Sequence, residues 1–228
     1  MVMTWLTRVD NFANQKNDME RNIIETEGYT IVETDSCSLE EIVEFVIKEN
    51  YLHHQKGLPE NISKEIEELI TEEKRLLSTS KFFVARDNDN SLIGCIRLHL
   101  WNHNLDLPIS KFVSSLETIF SIDEFPIVWY VGRFAVKHSK HKVSMSLFKA
   151  LMVCAISPIV NTPKSIMLAE IDTKLFVSLK HMGINLKALE YPQSYIGSLT
   201  IPACAKSQDL QPFYERNSSI LTSSHTIK

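Results

Sequence analysis

The chain has 228 residues, 44% of them hydrophobic and 23% charged, with a formal net charge of −4. That composition suits one globular domain with a substantial core, and its mild acidity lacks the basic field that a nucleic-acid backbone requires. Cys37, Cys95, Cys154 and Cys204 form no C-x-x-C pair, which speaks against zinc or a disulfide framework and for thiols in a reducing compartment. No apolar run approaches the ~18 residues of a membrane span and no signal peptide opens the chain, so the sequence predicts a cytoplasmic protein.

In MVMTWLTRVDNFANQ, Trp5, Leu6, Val9, Phe12 and Ala13 share one helical face. Such a face suits the inner surface of a membrane or the protein's own body; with only Arg8 and Lys16 as cations, the body is favoured. The strand YTIVE follows. Ser38 then opens the helix LEEIVEFVIKENYLHHQ, with Leu39, Ile42, Val43 and Val46 in phase, Glu41 placed for a capping box, and Gly57 and Pro59 beyond its end. A second helix carries Ile62, Ile66, Leu69, Ile70, Leu76 and Leu77 on one side, and its run of Glu and Lys reads as a solvated face.

KFFVARDNDN and SLIGCIRLHLWN read as an antiparallel hairpin. Beyond a loop at Pro108 and a short helix near Ser115 comes the long strand IVWYVGRFAV. A helix with Leu147, Phe148, Leu151, Met152 and Ala155 in phase follows, which Pro158 is expected to stop. Then come the strand SIMLAEI, a helix marked by Leu175, Phe176, Leu179 and Met182 and ended by Gly183, and the short strands INLKALE and SLTIPACA. The order predicts an α/β (α+β) architecture around one mixed sheet. Its divisions are an N-terminal helical extension over residues 1–28, a body over 29–210 and a solvated tail over 211–228.

Arg97 and Arg133 break the apolar pattern of their strands. A charge inside such a strand must reach water or a partner, because burying it unpaired is costly. Together they would fix an acidic residue or the carboxylate of an amino-acid acceptor, or join a purely structural ion network. Gly132 fits a bulge where backbone is approached closely. After the strand, KHSKHKVSMSLFKAL gathers Lys137, Lys140, Lys142 and Lys149 with His138 and His141 into a basic rim on an acidic chain. No histidine has partners at zinc-like spacing and no serine or cysteine lies on a G-x-S-x-G elbow, so neither a metal site nor a covalent nucleophile is expected.

The order of elements resembles the Gcn5-related N-acetyltransferase (GNAT) fold, a mixed, mostly antiparallel central sheet flanked by helices, with splayed central strands. Over Tyr29 to Ala205, the segments GCIRLHL, LPISKF, VGRFAV, and LKHMGI followed by YPQSYIGSLTIP look most like its acyl-homoserine lactone synthase and long-chain N-acyl amino acid synthase branch. The resemblance implies that a phosphopantetheine thioester, as co-substrate rather than resident cofactor, lays its arm in the splay against the backbone of Phe134, Ala135 and Val136. The glycine-rich pyrophosphate loop common in the fold is missing. Lys140 and Lys142 suit instead the phosphate and acidic surface of an acyl carrier protein, with CoA as the other donor.

The implied chemistry is attack of a small acceptor's amine on the thioester, with Arg133 organising the site and Arg97, Trp129 and Phe148 facing substrate. Phe148 and Trp129, with Met145, Leu147, Leu151, Met152, Phe112 and Phe120, would line an acyl channel or fill the common core. Relatives place a glutamate three residues before the motif arginine, where this chain has Tyr130. Glu170, Asp172, Glu124 or a water is left as base, and Tyr191 or Tyr195 as proton donor to the thiolate. The reading is an acyltransferase with Arg133, Tyr130, Glu170 and Tyr195 as catalytic set; an acetyl-CoA-dependent N-acetyltransferase or a non-catalytic carrier-binding protein are the alternatives.

Overall fold

Nine strands pair into one sheet, in a computed structural model that describes residues 20–34, 38–54, 57–113, 115–116, 120–121, 123–137 and 143–223. The expected N-terminal helix and residues 138–142 of the basic rim lie outside the described residues. The strands are β1 (Arg21–Glu25), β2 (Thr30–Thr34), β3 (Ser80–Arg86), β4 (Leu92–Trp101), β5 (Ile127–Val136), β6 (Ser165–Asp172), β7 (Lys187–Ala188), β8 (Gln193–Tyr195) and β9 (Ser198–Lys206). Their order is β1-β2-β3-β4-β5-β6-β9-β7, with β8 on β9. Every pair is antiparallel except β5 and β6.

Helices cover both faces. On one lie α1 (Leu39–His54) and α2 (Ile62–Leu76); on the other lie α3 (Val143–Val160), α4 (Thr173–His181), α5 (Ser207–Asn217) and the short α6 (Ile220–Ser223). Helix α3 is apolar nearly all round. It buries Leu147, Ala150, Leu151 and Ile156 in the core formed by the sheet and α5. That burial explains a departure from expectation: Pro158 lies inside α3 rather than stopping it, because Ile159, fully buried one residue on, holds the last turn in place.

Other boundaries also move. Arg21–Glu25, assigned above to a helical extension, is an edge strand, and its Ile24 is buried. The expected tail begins inside α5, where Leu210 and Phe213, three apart and so on one face, are fully buried against α3. The expected short helix near Ser115 falls largely outside the described residues; a 3-10 turn at Pro108–Lys111 lies earlier in that connection. Ser38 does accept a hydrogen bond from the Glu41 amide at 3.3 Å, but the Glu41 carboxylate pairs with Arg86 across the β3 end.

Two irregularities in β5 build the site. The strand pairs with β6 only from Ile127 opposite Ser165 to Tyr130 opposite Leu168, after which the two diverge. Beyond that point β5 follows β4, and β6 follows β9 to Thr200 opposite Asp172. On the β4 side, Arg97 lies opposite Gly132 but Cys95 opposite Ala135, so Ile96 faces both Arg133 and Phe134. This bulge puts Arg133 at φ 53°, a conformation unfavourable for a side-chain-bearing residue. The Cys95 thiol donates to the Arg133 carbonyl at 3.2 Å. The bulge therefore sits one residue beyond the glycine that was expected to form it.

Phe213→Ala is expected to lower the unfolding free energy by about 3–5 kcal/mol, measured by denaturant titration. A solvated tail beginning at residue 211 would give no such loss.

Candidate active site

Arg97 and Arg133 reach toward the α2 side of the sheet, and α2 supplies their counter-charges. Its buried residues are Leu69, Glu73 and Leu76, so Glu73 occupies a core position of the helix. Arg97 donates Nη1 to both Glu73 oxygens, at 2.7 and 2.9 Å. Arg133 donates Nε to Glu73 Oε1 at 2.7 Å and Nη2 to Glu72 Oε1 at 2.6 Å. Lys111, from the 3-10 turn, closes on the other Glu72 oxygen. Burial works to raise the Glu73 pKa, but the two guanidiniums outweigh it and hold the carboxyl below its ordinary value.

Arg97 is fully buried, and its Nε and Nη2 have no hydrogen-bond partner among the described residues. Its guanidinium carbon lies 4.5 Å from the Tyr130 ring centroid, where the π face offsets part of the unmet demand. Gly132 makes the room: a Cβ there would stand 2.8 Å from Arg97 Nη2. The glycine thus accommodates an arginine from the next strand.

Tyr130 points to the same side. Its hydroxyl donates to the Glu170 carboxylate, at 2.7 Å from Oε1 and 2.6 Å from Oε2. Burial raises the pKa of Glu170 despite that hydrogen bond, and burial with the nearby Glu170 charge raises Tyr130 well above 10. Tyr195 is raised too, again chiefly by burial. Its ring meets Phe112 edge-on at 5.2 Å and lies 5.8 Å from Lys111 Nζ. The turn after it is seated on α1: Asn50 donates to the Ile196 carbonyl, and a Cβ on Gly197, at φ 72°, would be 2.8 Å from Tyr51.

Where β5 and β6 part, a cleft of about 130 Å³ passes between them. Toward α3 its walls are apolar, with Ile96, Val131, Met152, Met167 and Leu179; toward α1 they are polar, with Asn50, Arg133, Glu170, Asp172, Tyr195 and Thr200. The structure therefore brings Arg133, Glu170 and Tyr195 to one cleft, with Tyr130 immediately behind Glu170. Phe134 lines it as well and stacks edge-on with Phe148 at 5.0 Å. Ala135 is buried toward α1, and the Val136 carbonyl lies 3.5 Å from His53 Nε2.

The other expected site residues lie elsewhere. Arg97 is sealed behind Gly132, and Trp129 is buried in the α3-side core; neither lines the cleft. Tyr191 is 85% exposed and Glu124 pairs with Lys206 at 3.3 Å. Lys140 and Lys142 are outside the described residues. Sequence reasoning missed Glu72 and Glu73, whose signal was a carboxylate in phase with Leu69 and Leu76. Among the described residues no helix is long and apolar enough to cross a membrane, and no group of three or more His, Cys, Asp or Glu could hold a metal ion.

No family model matches the sequence, and no curated protein matches it. Solved structures do. FeeM, an N-acyl amino acid synthase from uncultured soil microbes, is 11% identical with a TM-score of 0.56 over 87% of this chain and 95% of that one. The AHL synthase LasI is 9% identical with a TM-score of 0.55 over 82% and 94%. An uncharacterized protein from Bacillus halodurans is 9% identical with a TM-score of 0.52 over 92% and 100%. At such identities the likeness concerns the fold: the chain has the GNAT fold, with its single parallel strand pair at the centre.

Glu73→Gln would leave the buried Arg97 without a counter-charge and Arg133 with Glu72 alone, and is expected to cost about 3–5 kcal/mol of stability in a denaturant titration. His99 beside this network gives a second test. Burial, then the Arg97 charge, push it down to about 3, below the unfolded value of about 6.5. Its contribution is therefore full above the unfolded value and is lost as pH falls toward 3. Unfolding curves measured across that window should show less acid sensitivity in His99→Gln.

Proposed function

We propose that this chain is an acyltransferase, which moves a fatty acyl group from the thioester of an acyl carrier protein or CoA to the amine of an amino acid or similar small acceptor. The observation that carries the reading is the cleft through the sheet, apolar at one end and furnished with a carboxylate, a guanidinium and a phenol at the other. The activities of FeeM, an N-acyl amino acid synthase, and the AHL synthase LasI support the choice of acyl transfer.

In this reading the donor's pantetheine arm adds to β5 beyond the bulge, where Phe134, Ala135 and Val136 have lost their β6 partner. Lys140 and Lys142 meet its phosphate and the carrier's acidic surface. The acyl chain turns toward Met152 and Met167. The present space suits a group about the size of benzene. A longer chain must displace those two thioethers, which are easily rearranged walls.

The acceptor enters from the α1 side. Glu170 takes a proton from its ammonium, and the raised pKa of this carboxyl suits a base working nearer neutrality. The amine nitrogen bonds to the thioester carbonyl carbon, and Arg133 stabilises the oxyanion with a single N–H from Nη1, the nitrogen that Glu72 and Glu73 do not engage. The C–S bond then breaks, the thiolate takes a proton from Tyr195, whose raised pKa keeps it protonated beforehand, and the second proton that the nitrogen sheds on becoming an amide restores the phenol. Tyr130 orients Glu170. The carboxylate that relatives supply from the position of Tyr130 comes here from the neighbouring strand. We place the reaction in the cytoplasm, consistent with the buried free thiols of Cys95, Cys154 and Cys204.

The test is thiol release from acetyl-CoA, a long-chain acyl-CoA and a long-chain acyl carrier protein, each with and without a pool of amino acids and simple amines. Amine-dependent release from a long-chain thioester is expected; release from acetyl-CoA alone, or from none, refutes the proposal. Glu170→Gln should lower kcat/KM by about 10²–10⁴-fold. The wild-type rate should rise with pH through an ionisation above the ordinary carboxyl value of 4.5, and that limb should vanish in the variant.

A further inference from the structure

We infer that the acceptor is a small amine bearing a second positive group, and not a free amino acid. The inference rests on the acyl-transfer reading and concerns the charge that the cleft's polar end can receive. A carboxylate is read best by the fork of a guanidinium. Both forks near the cleft are already engaged. Arg133 directs Nε and Nη2 at Glu73 and Glu72, and Arg97 is buried with Nη1 on Glu73. Lys111 pairs with Glu72 and does not line the cleft. These three cations face two carboxylates that are themselves part of the framework.

Among the described residues the cleft's polar lining then offers Glu170 and Asp172, with neutral Asn50, Ser198 and Thr200 between α1 and β9. Two residues apart on β6, Glu170 and Asp172 project from one face, about 6.6 Å apart along the strand. Asp172 spends part of its capacity capping α4, accepting from the Lys174 and Leu175 amides. His54 lies 3.7 Å from it, and burial holds that imidazole below its ordinary pKa, which favours its neutral form. Lys174 is exposed and outside the lining. A diamine would give its reacting nitrogen to Glu170 and its ammonium to Asp172. An amino acid would bring a carboxylate to the same two anions without a free fork to receive it.

Three acceptors with the same five-carbon chain separate the cases: cadaverine, pentylamine and δ-aminovalerate, which end in an ammonium, a methyl and a carboxylate. With the best thioester donor, kcat/KM from thiol release should fall in that order, by about tenfold at the first step. Asp172→Asn retains a good helix cap. In that variant the ratio of cadaverine to pentylamine should fall to about one. Faster turnover of δ-aminovalerate or a free amino acid than of cadaverine would overturn the inference and leave acyl transfer standing. An unchanged ratio in Asp172→Asn would overturn the role given to Asp172. No release with any amine would sink the acyl-transfer reading itself.

Discussion

Two guanidiniums from adjacent strands converge on Glu73, and much of the site's shape follows from satisfying them. A buried cation is tolerable only beside a carboxylate. α2 must therefore keep Glu73 inward and Glu72 at the rim. That requirement fixes the helix against β4 and β5, holds the bulged segment at Arg133, and leaves Gly132 bare so that Arg97 can pass. Tyr130 covers the Arg97 guanidinium with its ring and reaches Glu170 with its hydroxyl, so the ion network and the cleft share one side chain.

The cleft itself is a consequence of strand geometry. Parallel neighbours that pair over four residues and then part leave a gap that neither β4 nor β9 can fill. Side chains from both faces meet in it, because the sheet no longer separates them. This is why one small cavity is apolar toward α3 and polar toward α1. A thioester carbonyl placed between the ends would have its chain on one side and its attacker on the other.

The fold was largely legible in the sequence. The β3–β4 hairpin, the long β5 and the alternation after it were plain from periodicity, and the motif segments pointed to a splayed central pair. The oddity of Arg133 was visible as well, but its partners were not. TEEKR at 71–75 reads as a solvated run, and only the phase of Glu73 between Leu69 and Leu76 marks it as interior. The Tyr130–Glu170 pair was illegible for another reason: it depends on cross-strand register, which a single sequence does not carry. Pro158 and the C-terminal helix were misjudged because burial of Ile159, Leu210 and Phe213 overrides local signals.

The bulge at Arg133 also acts on the parity of β5. Before it, odd residues such as Trp129 and Val131 belong to the α3-side core and Tyr130 to the opposite one; after it, Ala135 joins the α1 side while Phe134 packs toward Phe148. One supernumerary residue inverts the strand's two-residue frame. Deleting Arg133 would pair Phe134 with Ile96 and keep Ala135 opposite Cys95, so every side chain beyond it would hold its layer and only the guanidinium turned toward α2 would be lost. The extra residue is absorbed locally: it adds one charged side chain to the cleft and leaves the pairing on either side intact.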